Sequence, residues 1–138
     1  MGRQRKAREL LVQALYASVV GGKDLADAVA EQIERRGPTR STVEYVEKVS
    51  QELQRESAEL DKQIDAALTG WSPERVGVVE RAILRLALLE MLHISETPAK
   101  VAISEAVDLA KTYSSDDAAR FVNGVLDHIL REHESHHA

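Results

Sequence analysis

Cysteine is absent from this 138-residue chain, which removes thiol nucleophiles, cysteine-based zinc sites and any disulfide framework. Only three prolines and seven glycines interrupt it, and Ala, Leu, Glu and Arg are abundant, a balance that favours helix. No stretch alternates at period two for long enough to make a sheet. The most apolar stretch, Val78 to His93, is broken by Glu80, Arg81, Arg85, Glu90 and His93 and falls short of the ~20 residues that cross a bilayer. No glycine-rich phosphate loop and no nucleophile–base pairing stands out. Aromatics are scarce too: Tyr16, Tyr45, Trp71, Tyr113 and Phe121 are all there are.

Basic charge is also lacking overall, the net being −5. Arg3, Arg5, Lys6 and Arg8 nevertheless crowd the first eight residues, with no acid among them. Setting those four aside leaves 14 Lys and Arg against 23 Asp and Glu, a net of −9. A basic arm on an acidic body points to a local polyanion site rather than a generally basic surface. The same start could be read as a secretory leader. Glu9, Gln13 and Tyr16 interrupt its apolar run, and the spacing is amphipathic, so a cytoplasmic location is expected.

At this length one domain is expected, and roughly two-thirds of the unfolded surface can be buried without a metal or disulfide staple. Ala7, Leu10, Leu11, Ala14 and Leu15 follow the three-and-four spacing of a buried stripe, so the first helix spans Arg3 to Val20 and ends at Gly21-Gly22. Asp24 is placed to cap a second helix through about Arg36, which Gly37-Pro38 stops. Ser41 and Glu44 have capping-box spacing and open a long third helix marked by Val43, Val46, Val49, Leu53, Leu60, Ile64 and Leu68, with Gly70 as its stop. Ser72-Pro73 and Thr97-Pro98 are further start signals. Between them Val78–His93, apolar on nearly every side, must be buried by its neighbours. Ser114 or Ser115, with Asp116 and Asp117, caps a last helix through about Arg131. The expected fold is all-α: a compact helical domain of about seven helices in two packed small bundles, residues 1–70 and 71–132, with a disordered tail at 133–138.

Catalytic and metal-binding readings are thin. Asp116 and Asp117 sit where capping and helix-dipole stabilisation account for them. His133, His136 and His137 carry donor atoms but fall in the tail, and no metal or cofactor is expected. Asn123-Gly124 lies inside a helix, where close helix–helix contact is the structural explanation for the glycine and a ligand contact by the amide is the other. Arg81 and Arg85, one turn apart, are expected to pair with acids such as Glu80 or Asp117. The basic arm carries more, because guanidinium groups clasp phosphate oxygens bidentately and stack on bases. With Tyr16 two turns further along and Tyr113 as a second platform, such a surface suits single-stranded RNA. If all four arm charges contact phosphates, log affinity should fall with log salt at a slope of about −3.

Three stretches, RQRKARELLVQALY at 3–16, VERAILRLALLEM at 79–91, and KVAISEAVDLAK followed by DDAARFVNGVLDHI within 100–129, appear together and in this order. In this the chain resembles the NusB family of bacterial transcription antitermination factors, over most of its length; residues 21–70 match mainly in helical pattern. The resemblance implies an all-α fold of two small bundles and no enzymatic activity. It also implies binding to the boxA element of nascent RNA jointly with the ribosomal protein NusE, in a complex with other Nus factors and RNA polymerase that passes terminators, notably in ribosomal RNA operons. Carried over by position, the RNA face comprises Arg3, Arg5, Lys6, Arg8, Gln13, Tyr16, Glu80, Tyr113, Asp117 and Phe121. Tyr113 stands where phenylalanine is common, and Phe121 also falls on the apolar stripe of its helix.

For the NusE surface, Glu74, Glu90 and His93 on the short helix and the outer face of the Val78–His93 rod offer acids to a basic protein. A NusB-like domain also fronts some RNA cytosine methyltransferases, an activity not expected without a cysteine nucleophile. The competing reading is a purely protein-binding helical scaffold whose arm only solubilises it. A homodimer that occludes both surfaces is compatible with either.

Overall fold

The computed structural model describes the backbone of residues 2–137 and the side chains of residues 4–135. Among the described residues are six α-helices, one 3-10 helix and no strand. The all-α expectation holds; the expected short helix after Ser72 is a single 3-10 turn. The chain divides into two compact units, Met1–Glu56 and Ser57–Ala138.

In the first unit, α1 (Gly2–Gly21) packs on α2 (Leu25–Arg36). Ala7, Leu10, Leu11, Ala14 and Leu15 are buried as their spacing predicts. Gly22 takes a positive φ of 66°, which lets the chain reverse into α2 without a Cβ clash. The turn is closed by Ser18, whose Oγ donates to the Lys23 carbonyl at 2.6 Å. Lys23 in turn bonds and attracts Glu31, holding that carboxyl below its ordinary range.

Two capping expectations fail here. Asp24 takes the extended N-cap backbone but makes no side-chain cap bond. The start of α3 (Arg40–Ala66) is capped not by Ser41 but by Thr39, whose Oγ1 accepts from the Thr42 amide at 3.3 Å. The helix begins earlier than the Ser41–Glu44 box allows. Glu44 instead lies 3.8 Å from Arg40, one turn back.

α3 begins in the first unit and ends in the second, so the division falls inside a helix. Asp61 and Asp65, on the last turns of α3, hold two arginines of α4 (Val78–His93). Arg85 grips Asp61 bidentately, Nε to Oδ1 and Nη2 to Oδ2 both at 2.8 Å. Arg81 reaches Asp61 at 3.3 Å, Asp65 at 2.9 Å and the Pro73 carbonyl at 3.2 Å. Burial alone would raise the Asp61 pKa, but the bonds and charges of Arg85 and then Arg81 outweigh it and hold the carboxyl below its ordinary value. The expected partners Glu80 and Asp117 are not used by these two arginines.

α4 packs against α5 (Ala99–Tyr113) and α6 (Asp116–His137), which pack on each other. Ile83, Leu84, Leu86, Leu88 and Leu89 are fully buried, each contributing about 1.5–3 kcal/mol of transfer free energy. Pro98 is the N-cap of α5. Ser115 caps α6, its Oγ accepting from the Ala118 amide at 3.0 Å. α6 continues as helix through His137, beyond the expected stop at Arg131. The side chains of His136 and His137 lie outside the described residues.

Candidate nucleic-acid interface

The first unit presents a polar face on α1. At about 100° per residue, Arg5, Tyr16, Glu9, Gln13 and Lys6 fall within an arc of about 100°. Arg5 and Lys6 are exposed, Gln13 is half-buried, and Tyr16 is 42% exposed. Tyr16 continues into Val19 and Val20, which are also open to solvent. The expected arm does not act as one block. Arg8 lies outside that arc and is only 2% exposed, with an interaction inside the protein. At that burial the Arg8 guanidinium is turned away from the surface that Arg5 and Lys6 present. Arg3 falls outside the described side chains.

The second unit gathers its candidates where α4, α5 and α6 meet. Glu80, in the first turn of α4, accepts a hydrogen bond from the Ser114 hydroxyl at the α5–α6 junction. A Cβ on Gly77 would collide with Glu80 Oε1, so the glycine gives this carboxylate room to fold back over the helix start. Tyr113, half-buried, is the neighbour of that serine in the chain. Asp117 and Phe121, one turn apart on α6, line a groove of about 580 Å³ with Trp71, Arg120, Gly124 and His128. Asp117 is ion-paired to Arg120, and both are exposed.

Phe121 is half-buried rather than a core residue. Its ring meets that of Trp71 edge-on, centroids 5.2 Å apart and planes at 62°. Trp71 itself is 57% exposed, and sequence reasoning noted it only as one aromatic among five. Its signal was position: a large aromatic between the helix stop Gly70 and the start signal Ser72-Pro73 has no stripe to join. Gly124 corrects a second reading. A Cβ there would meet nothing within 4 Å, so close helix–helix contact is not why the glycine is there.

The proposed partner residues are not brought together. Glu74 is exposed on the 3-10 helix Pro73–Arg75, and His93 is exposed at the far end of α4. The 16 residues of α4 separate them by roughly 24 Å of helix. Glu90 is 1% exposed with an interaction inside the protein, so it does not lie on an outer face of the rod. Among the described residues no group of three or more His, Cys, Asp and Glu converges on a point where a metal could sit. Nor is any helix among them long and apolar enough to cross a membrane.

The chain is of the all-α class, with an exposed cationic helix face in its first unit and an aromatic groove in its second. The comparisons name the family. The NusB family model matches residues 5–131. A transcription antitermination protein NusB of Symbiobacterium thermophilum is 39% identical over 136 residues, covering 93% of this chain and 89% of that protein. The NusB of Proteus mirabilis is 40% identical over 124 residues, 90% of each chain. Among solved structures, antitermination factors NusB and NusE in complex with double-stranded RNA include a chain that superposes with a TM-score of 0.88 at 29% identity, covering 96% of this chain and 98% of that one. Thermotoga maritima NusB superposes with a TM-score of 0.86 at 30% identity, covering 94% and 91%. This chain belongs to the NusB family.

Proposed function

We propose that the chain is an RNA-binding transcription antitermination factor. It binds the boxA element of nascent RNA together with the ribosomal protein NusE and acts on RNA polymerase with other Nus factors, notably in ribosomal RNA operons. It works in the cytoplasm, by binding and not by catalysis. The observation that carries the reading is the exposed Arg5–Lys6–Tyr16 face of α1, in a chain whose relatives are antitermination proteins. Cations beside an aromatic suit unpaired RNA, since phosphates take the charges and a base takes the ring. Arg3 joins Arg5 and Lys6 as the third cation, while Arg8 holds the helix from within. Gln13 extends that face.

On the second unit Glu80, Tyr113, Asp117 and Phe121 complete the RNA contacts, Glu80 being held in place by Ser114. NusE, a basic protein, meets Glu74 and the exposed end of α4 at His93; Glu90 acts structurally. A homodimer of the free chain would store it with these surfaces covered. The test is an electrophoretic shift of a boxA-like RNA by the full chain, alone and with NusE. A shift strengthened by NusE is expected. No shift in either lane would contradict the reading and leave a protein-binding scaffold.

A further inference from the structure

We propose that Arg81 is a positioning residue for partner binding: it pins the 3-10 turn Pro73–Arg75 so that Glu74, and not Arg75, faces NusE. This rests on the reading above that NusE meets Glu74, and identifies what sets the pose of that carboxylate.

The segment that carries Glu74 has little of its own to hold it. Every residue from Thr69 to Arg75 is exposed, and Val76 is only half-buried. A stretch without buried side chains opens at little cost. Its backbone bonds, from Trp71 to Leu68, Arg75 to Ser72 and Val76 to Pro73, are all local. Among the described residues, one ring contact and one hydrogen bond reach it from the helices of the second unit. The ring contact is the edge-on meeting of Trp71 with Phe121. The hydrogen bond comes from Arg81, whose Nη2 donates to the Pro73 carbonyl at 3.2 Å.

That bond is firmly anchored at its other end. The same Nη2 donates to Asp65 at 2.9 Å, and Nη1 to Asp61 at 3.3 Å. A guanidinium presents its donors in a rigid fork and can serve all of these acceptors at once. Arg81 thus ties the last turns of α3 to the start of α4 and both to the turn. Arg85 supplies the contrast. It holds Asp61 bidentately from the next turn of α4 but does not bond to the 3-10 turn.

Pose matters because the turn carries both signs of charge. A 3-10 helix advances about 120° per residue, so Glu74 and Arg75 point to different sides. Rolling the turn by one residue would offer a basic partner a base in place of an acid, and like charges set against each other oppose docking. A freed turn must also be ordered at the moment of binding. Ordering even one residue then weakens affinity by roughly 5- to 30-fold.

The test titrates the full chain and its variants Arg81→Gln, Arg81→Lys, Arg85→Gln and Glu74→Gln with NusE and, separately, with a boxA-like RNA. Urea unfolding records stability, and the fluorescence anisotropy of Trp71, the sole tryptophan, records the mobility of the segment. Arg81→Gln and Arg85→Gln should both lose stability, since each leaves an α3 carboxylate short of a partner. Only Arg81→Gln should lower the Trp71 anisotropy and weaken NusE binding, by about tenfold, with RNA affinity at the parental level. Arg81→Lys, whose ammonium can still bridge Asp65 and the Pro73 carbonyl, keeps most of the NusE affinity. Glu74→Gln weakens NusE binding in the parent but adds little on top of Arg81→Gln, the signature of two residues acting as one.

Equal losses of NusE affinity in Arg81→Gln and Arg85→Gln overturn the inference and make Arg81 a staple of the fold. Parental NusE affinity in Arg81→Gln, with Glu74→Gln still harmful, overturns it and leaves the Glu74 reading standing. Should Arg81→Gln fail to fold, Asp65→Asn loosens the same Nη2 without touching Arg85; it must then lower both the anisotropy and the NusE affinity, and parental values overturn the inference. A parent chain that binds NusE equally well with Glu74→Gln removes the inference together with the reading beneath it.

Discussion

Replacing Arg5 and Lys6 together by alanine tests whether the exposed cations of α1 meet RNA while the buried Arg8 does not. Both are exposed, whereas Arg8 is 2% exposed and engaged within the protein. Each phosphate neutralised on a single strand contributes about −0.7 to the slope of log affinity against log salt. Arg3, Arg5 and Lys6 thus give the arm a slope of about −2, not the −3 expected with Arg8 included. The double variant should lose about 1.4 of that slope. Between 50 and 200 mM salt, the parent should then lose about sevenfold more affinity than the variant.

Arg8→Gln should behave in the opposite way. Its slope stays parental, while unfolding free energy falls by about 1–3 kcal/mol, because a side chain that is 2% exposed loses its packing and its interaction inside the protein. Anisotropy of a labelled single-stranded RNA across a salt series reads the first quantity, and urea unfolding at neutral pH the second. The reasoning is refuted if Arg8→Gln flattens the slope as much as the double variant does and leaves stability untouched.

Two further outcomes follow from the second unit. Asp61 is held below its ordinary value of 3.8, so its contribution is fully present above about pH 4 and is lost as pH falls through the lower folded value. Asp61→Asn should therefore cost about 2 kcal/mol at neutral pH, and its stability should fall less than the parent's between pH 4 and 2; parallel acid curves by urea unfolding would argue against the arginine clasp. Glu80→Ala should change RNA affinity with the melting temperature within a few degrees of the parent, since its serine bond is at the surface; a large loss of stability would make the carboxylate structural.

Much of the fold was legible because long apolar periodicity records burial directly. The α1 stripe and the α4 rod fell where the spacing put them, and the Ser115 cap with them. Caps at Asp24 and Ser41 did not, because several residues near each helix start can serve and only the backbone chooses among them. Polar residues were harder. Arg5 and Arg8 look alike as residues, and only the helical angle that sets Arg8 beside Leu15 hints that it faces inward, while Glu90 looks like any interruption of an apolar run until its burial is known. The Asp61–Arg85 clasp joins residues 24 apart in the chain, a pairing no local pattern encodes. Gly124 shows the same limit from the other side: its presence was visible in the sequence, but the space around it was not.

The most direct test of the account is competition between two labelled RNAs of equal length and charge, one boxA-like and one scrambled, for the full chain with NusE at physiological salt. The account predicts that the boxA-like strand binds at least about tenfold tighter, a gap of about 1.4 kcal/mol. Equal affinity for the two strands would contradict it, leaving charge alone to explain binding.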